Sequence, residues 1–202
     1  MTQKTIIGKM TFYDIVTLVV PSALVCHSYV WKPIVPVVDW IGQIATFGFL
    51  MMIGLLFKSI GSFWSSFWFR NNTDIIQEEK AKVSSIGGEN LSCGIIDTIF
   101  VDPMKFILGP IMSCFYSQDK TILATYFEKY DIAYGLSYYG KRIEILESHV
   151  AFLQTWIVAL VVLCFDKTEY LCCIVIACYI SIVMMLSIQR KIYNMVWESK
   201  KD

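Results

Sequence analysis

Charge is scarce in this chain and has no net sign: 17 basic and 17 acidic residues among 202, with two histidines, give a formal charge of zero. That balance excludes the broad basic footprint with which a protein holds nucleic acid or an anionic surface. Disulfide and metal chemistry have little to work with. The seven cysteines (26, 93, 114, 164, 172, 173 and 178) form no CxxC pair and fall mostly in apolar runs, so they read as small apolar residues of a reducing compartment. Glu144, Glu147 and His149 come nearest to a ligand set, but His149 leaves the face that the two carboxylates share and His27 is too distant to complete it. A Gly-rich phosphate loop, a nucleophile elbow and a paired-histidine zinc motif are all missing. The expectation is a protein that is not an enzyme, with no cofactor and no metal. The opening residues do not read as a cleaved signal either, because Asp14 and Pro21 interrupt the stretch after Lys4 and Lys9, and no small-residue cleavage site precedes Cys26.

The chain is rich in apolar length: 56% hydrophobic residues and a mean hydropathy of +0.56. From Trp40 to Phe69 the only charge is Lys58, and Trp40 to Phe57 has none. A spanning helix needs about 20 such residues. As one helix the whole stretch is roughly 45 Å long, against a hydrocarbon core of about 30 Å, so its far end must leave the lipid. Phe63, Trp64, Phe67, Trp68 and Phe69 fall where an interfacial aromatic belt would lie, and Arg70 closes it.

The same signals mark other spans. Thr11 and Asp14 have capping-box spacing and open a first helix that runs to about Trp31, kinked at Pro21 and ended by Lys32 and Pro33. After Arg70 the cluster Asn71, Asn72, Thr73, Asp74 starts a polar helix through Lys82, and Gly87 and Gly88 lie in a loop. Residues 91–116 are apolar but carry Asp97, Asp102, Pro103, Lys105, Gly109 and Pro110; a helix at the membrane surface is preferred there over a re-entrant hairpin. A pattern without proline then allows one helix from Gln118 to Phe165, with Gly135 and Gly140 as places to bend, and Val150 to Phe165 is its apolar span. A turn at 166–169 leads into a last span, Tyr170 to Ile188.

The fold class is therefore an all-α polytopic membrane protein with four transmembrane helices and a cytoplasmic helical segment between the second and third. Its parts are an N-terminal helix pair (1–70), a partly membrane-apposed segment (71–148), and a C-terminal helix pair with a short tail (149–202). Lys32 and Lys167 are the only basic residues in the short turns, so the positive-inside rule places both termini in the cytoplasm. Residues 71–148 hold seven basic and eleven acidic residues, a balance that argues against direct nucleic-acid binding.

Candidate functional residues are few. Asp14, Thr17 and Ser28 share a face of the first helix, as Gln43, Thr46 and Lys58 do on the second; the plain reading is helix contact, the sharper one a water-filled path. Tyr126, Tyr130, Tyr134 and Tyr138 recur every four residues as a slowly winding stripe, which packs internally or meets a partner. Trp64 and Trp68 are candidates to link the bilayer to the inner segment. Asp97 and Asp102 beside an apolar segment suggest a membrane enzyme on a lipid-linked substrate, but they lack a basic or metal-binding companion motif. The main expectation is a homo-oligomeric sensor or scaffold in contact with membrane lipid that signals to a cytoplasmic protein; the alternatives are a gated ion channel and the membrane enzyme.

The size, the four spans, and Thr-Phe-Tyr-Asp-Ile (11–15) followed by Val-Val-Pro-Ser-Ala-Leu (19–24) resemble the membrane subunit of the Kiwa anti-phage system. That resemblance implies a homo-tetramer of the bacterial inner membrane that detects phage-induced perturbation and works with a cytoplasmic DNA-binding subunit. It assigns no role to individual residues.

Overall fold

The structure is a computed structural model that describes residues 12–29, 40–71, 73–84, 97–112 and 120–199. Those residues form helices and no strand. In chain order they are α1 (Phe12–Tyr29), α2 (Trp40–Asn71), α3 (Thr73–Ser84), a π-helical turn (Asp97–Val101), α4 (Asp102–Met112), α5 (Lys120–Gly135), α6 (Ser137–Asp166), a 3-10 turn (Thr168–Tyr170) and α7 (Leu171–Glu198). Three helical stretches, Ala45–Ser66, Tyr138–Phe165 and Thr168–Glu198, are long and apolar enough to cross a membrane, and Ile15–Cys26 of α1 is a shorter apolar stretch. The α2 and α7 stretches have mean hydropathies of 1.6 and 2.7, yet only 17% of each window is buried within the protein. Most of their apolar surface thus lacks a protein partner in a single chain, which is the condition of a lipid-facing helix.

The chain divides into two compact units. The first comprises residues up to Gly61 and Gln154–Cys178. Its core sets Val25 of α1 and Phe57 of α2 against Ala159 and Leu163 of α6, with Ile53, Val158, Val162 and Ile174 around them. Small residues bring the backbones close: a Cβ on Gly54 would stand 2.8 Å from Leu18 Cα, and one on Gly61 would stand 2.8 Å from the Gln154 carbonyl oxygen. Gly54 and Gly61 are two helical turns apart, on one face of α2. Pro21 lies inside α1, and next to it the Ser22 hydroxyl, fully buried, donates to the Leu18 carbonyl at 2.6 Å. Thr11, the expected cap, lies outside the described residues, as do Trp31 and the loop at 84–90 apart from Ser84.

The second unit comprises Ser62–Leu153 and Tyr179–Asp202. Here α3 presents Ile75 and Ile76, both fully buried, and packs on α5. Residues Ile182, Met185, Leu186, Ile192, Tyr193 and Val196 of α7 are buried at helical spacing. The single helix that the pattern allows from Gln118 to Phe165 is instead a hairpin, α5 and α6, interrupted at Leu136. Seventeen residues of continuous helix would hold Tyr130 and Glu147 about 25 Å apart, but the Tyr130 hydroxyl donates to the Glu147 carboxylate. Gly140 makes the reversal possible, because any Cβ there would run into the Tyr134 carbonyl.

Candidate functional site

In the second unit a buried guanidinium joins three helices. Arg190 of α7 is 8% exposed, Glu79 of α3 2% and Asp102 at the start of α4 1%. Arg190 Nε donates to Asp102 Oδ2 at 2.7 Å and Nη2 stands 2.6 Å from the same oxygen. Nη1 donates to Glu79 Oε1 at 2.7 Å and lies 3.5 Å from Glu78 Oε2, whose side chain is half exposed. A planar fork of N–H donors suits this arrangement in a way that an ammonium does not. Buried charges are tolerable only when paired and hydrogen-bonded, and here each is. The basic partner of Asp102 is thus supplied 88 residues downstream. No local spacing signals it, since Arg190 reads only as a flanking charge of the last span. The Asp97 side chain lies outside the described residues.

Next to this clamp, the segment 97–108 turns charge inward and apolar side chains outward. Asp102 and Phe106 are buried, whereas Ile99, Phe100, Met104 and Ile107 are exposed, Phe100 by 61%. Two side chains hold its backbone: the Trp64 indole Nε1 donates to the Phe106 carbonyl at 3.3 Å, and the Tyr179 hydroxyl donates to the Ile99 carbonyl. Trp64, a candidate link to the inner segment, makes its contact there through this hydrogen bond and stays 38% exposed. The Trp68 side chain lies outside the described residues.

The tyrosine stripe is divided by the hairpin. Tyr126 is 3% exposed and packs edge-on against Tyr193, ring centroids 5.4 Å apart, and tilted against Trp197. Of the two readings of the stripe, Tyr126 takes internal packing: it lies in the core of this unit. Tyr130 and Tyr134 stack at 5.9 Å. Tyr138 is on the other helix of the hairpin, where Arg142 Nη1 donates to its hydroxyl at 2.7 Å. Tyr134 and Tyr138 are exposed, by 47% and 63%. Burial, and then the hydrogen bond to Glu147, push the Tyr130 phenol well above its ordinary value. A proton held more tightly in the folded than in the unfolded state stabilises below the unfolded value of about 10 and is lost as pH rises through the folded one. Tyr130→Phe is accordingly expected to cost about 1 kcal/mol at neutral pH. Its stability should also fall less steeply than that of the parent between about pH 10 and 12, measured by urea titration at each pH.

An open cavity of about 510 Å³ lies in the same unit between α3 and α5, with Trp197 among its walls. Lys129 and Lys80 place their ammonium groups 4.3 and 5.4 Å from the Trp197 ring centroid, which is cation–π geometry. The polar-face candidates are unevenly placed: Thr17 is buried, Thr46 is half-buried and Lys58 is exposed. The side chains of Asp14, Ser28 and Gln43 lie outside the described residues. Among the described residues no cluster of three or more His, Cys, Asp or Glu could hold a metal ion. Five cysteines among the described residues are free, with Cys26 buried and the adjacent Cys172 and Cys173 exposed.

Comparison with protein-family models, with curated proteins and with solved structures returned no match.

Proposed function

We propose that this chain is a non-enzymatic, homo-oligomeric protein of the bacterial inner membrane. In this reading it responds to a perturbation of the bilayer and passes the response to a cytoplasmic protein. The three long apolar helices and α1 make four crossings, with both termini and residues 71–148 in the cytoplasm. The observation that supports it is the Arg190 clamp. One side chain of the most apolar helix holds carboxylates of α3 and α4. Displacing α7 must then either carry those helices along or break a buried pair, and the second course costs about 3–5 kcal/mol. Exposed Tyr134 and Tyr138 are the surface offered to another subunit or to the partner. Anti-phage defence, a tetramer and a DNA-binding partner rest on the resemblance of residues 11–15 and 19–24 alone. Asp102, sealed against Arg190, is poorly placed to act on a lipid-linked substrate.

The test is hydrogen exchange read by mass spectrometry on the protein in phosphatidylethanolamine–phosphatidylglycerol vesicles, before and after osmotic or lysolipid stress. Peptides from α3 should change their exchange under stress, and chemical cross-linking in the same vesicles should trap oligomers. Unchanged α3 exchange, or a chain that stays monomeric, removes the reading; stress-gated currents in planar bilayers would replace it with the pore.

A further inference from the structure

One face of α3 is packed into the protein and another lines a cavity. Ile75, Ile76 and Glu79 are buried, whereas Gln77, Lys80 and Ala81 are exposed. Those three exposed residues fall at i, i+3 and i+4, the spacing of a single helical stripe, and all of them line the cavity of about 510 Å³. Thr121 and Thr125, in the first two turns of α5, and Trp197, near the end of α7, form other parts of its wall. Pockets that hold small molecules run from about 300 to 1,000 Å³, so this one has room for a molecule and not only for a lone ion.

Positive charge converges on it. The Lys129 and Lys80 ammonium nitrogens stand 4.3 and 5.4 Å from the centroid of one ring, that of Trp197. They are therefore no more than 9.7 Å apart, the sum of those two distances. Like charges held that close repel, and an anion placed between them is attracted by both. Among the described residues the lining includes no carboxylate. Trp197 is 4% exposed, and its indole N–H is buried with no acceptor among the described residues. A buried donor left unmet is costly, and an oxygen of a bound anion can meet it. The kind of cation narrows the class of anion. A planar carboxylate is best matched by the fork of an arginine, which the lining lacks, whereas ammonium groups act as point charges that suit phosphate. We propose that the cavity between α3 and α5 binds the phosphate of a small phosphate ester, either a soluble nucleotide or the headgroup of an anionic phospholipid. Lys80 in the wall and Lys129 beside Trp197 are the cations that hold it. Both sources offer the same phosphate oxygens. A bound ester adds a second link between α3 and α7, which Glu79 and Arg190 already join. The site goes beyond the membrane response proposed above and does not depend on it.

Calorimetric titration of the full chain in dodecyl maltoside, a detergent without phosphate, provides the test. One arm uses ATP, with adenosine as its phosphate-free counterpart; the other uses dioctanoyl phosphatidylglycerol, with dioctanoylglycerol. In at least one arm the phosphate-bearing probe should bind and its counterpart should not. Binding of ATP identifies a soluble ester, and binding of phosphatidylglycerol alone identifies a headgroup. Lys80→Gln and Lys129→Gln should each weaken that binding roughly tenfold or more. Trp197→Phe, which keeps a ring and deletes the N–H, should weaken it by roughly threefold or more. Lys141→Gln alters an exposed lysine outside the lining and should leave the affinity unchanged. Lys80 is exposed, so Lys80→Gln should unfold at the temperature of the parent, which separates lost binding from lost folding. Failure of both phosphate-bearing probes to bind overturns the proposal. So does equal binding of a phosphate-free counterpart, or a loss at Lys141→Gln as large as that at Lys80→Gln.

Discussion

Replacing Arg190 with Met is expected to cost more stability than any other single substitution in the second unit. The guanidinium is the cation shared by two carboxylates that are almost wholly buried, Glu79 and Asp102, and it makes hydrogen bonds to both. Without it, two anions remain in a site that excludes water. Removing one partner of such a buried set costs about 3–5 kcal/mol, a large share of the 5–15 kcal/mol or so that holds a typical domain together. Thermal unfolding in nanodiscs should occur at a much lower temperature for Arg190→Met. Arg190→Lys should recover only part of the loss, because a single ammonium cannot satisfy both acids from one position. The triple variant that adds Glu79→Gln and Asp102→Asn should recover much of it, since the penalty comes from orphaned charge more than from missing attraction. Equal stability of Arg190→Met and the parent would mean that the acids are hydrated and the clamp is open.

The second large effect is expected at Gly54. An added Cβ there meets backbone atoms of Leu18, its carbonyl oxygen and its Cα, and backbone cannot rotate away as a side-chain end can. The same Leu18 carbonyl is held by the Ser22 hydroxyl, which fixes it further. Alanine in place of glycine favours a helix by about 1 kcal/mol, whereas overpacking costs about 1–3 kcal/mol. Backbone contact puts the cost at the upper end, so Gly54→Ala should lose about 2 kcal/mol net. Gly48, which has nothing within 4 Å of its would-be Cβ, provides the internal comparison: Gly48→Ala should be neutral or gain up to about 1 kcal/mol. Melting curves of the two variants side by side decide the matter, and a loss at Gly48 as large as at Gly54 would mean that helix packing is not what glycine serves in α2.

Long-wavelength features of the fold are legible in the sequence, and cross-chain ones are not. The span from Trp40 and the polar helix start at Thr73 agree with α2 and α3 within a residue or two of where composition places them. A run of apolar residues and a cluster of Asn, Thr and Asp are local facts that act on the local backbone. The break at Leu136 is signalled only by two glycines, and glycine permits a reversal without requiring it. With that break the four-residue repeat of tyrosines no longer shares one face, and Tyr138 parts from Tyr126. The pairing of Arg190 with Glu79 and Asp102 spans 111 and 88 residues and leaves no periodic trace. On α7 almost every position up to Ile188 is apolar, so the sequence does not tell which side is buried. The hydrogen bonds that Tyr179 and Trp64 donate to the Ile99 and Phe106 carbonyls are likewise cross-chain and leave no local trace.

The distance along the chain between Asp102 and Arg190 also sets an order in time. A ribosome adds about 5–20 residues per second, so the 88 residues between the two take on the order of 4 to 18 s to make. Throughout that interval Asp102 and Glu79 have no Arg190 to meet. α4 therefore cannot close its Asp102 contact with Arg190 as it emerges. The clamp has to wait until the last helix arrives, which makes α7 its closing step, and a chain truncated before residue 190 is expected to lack it.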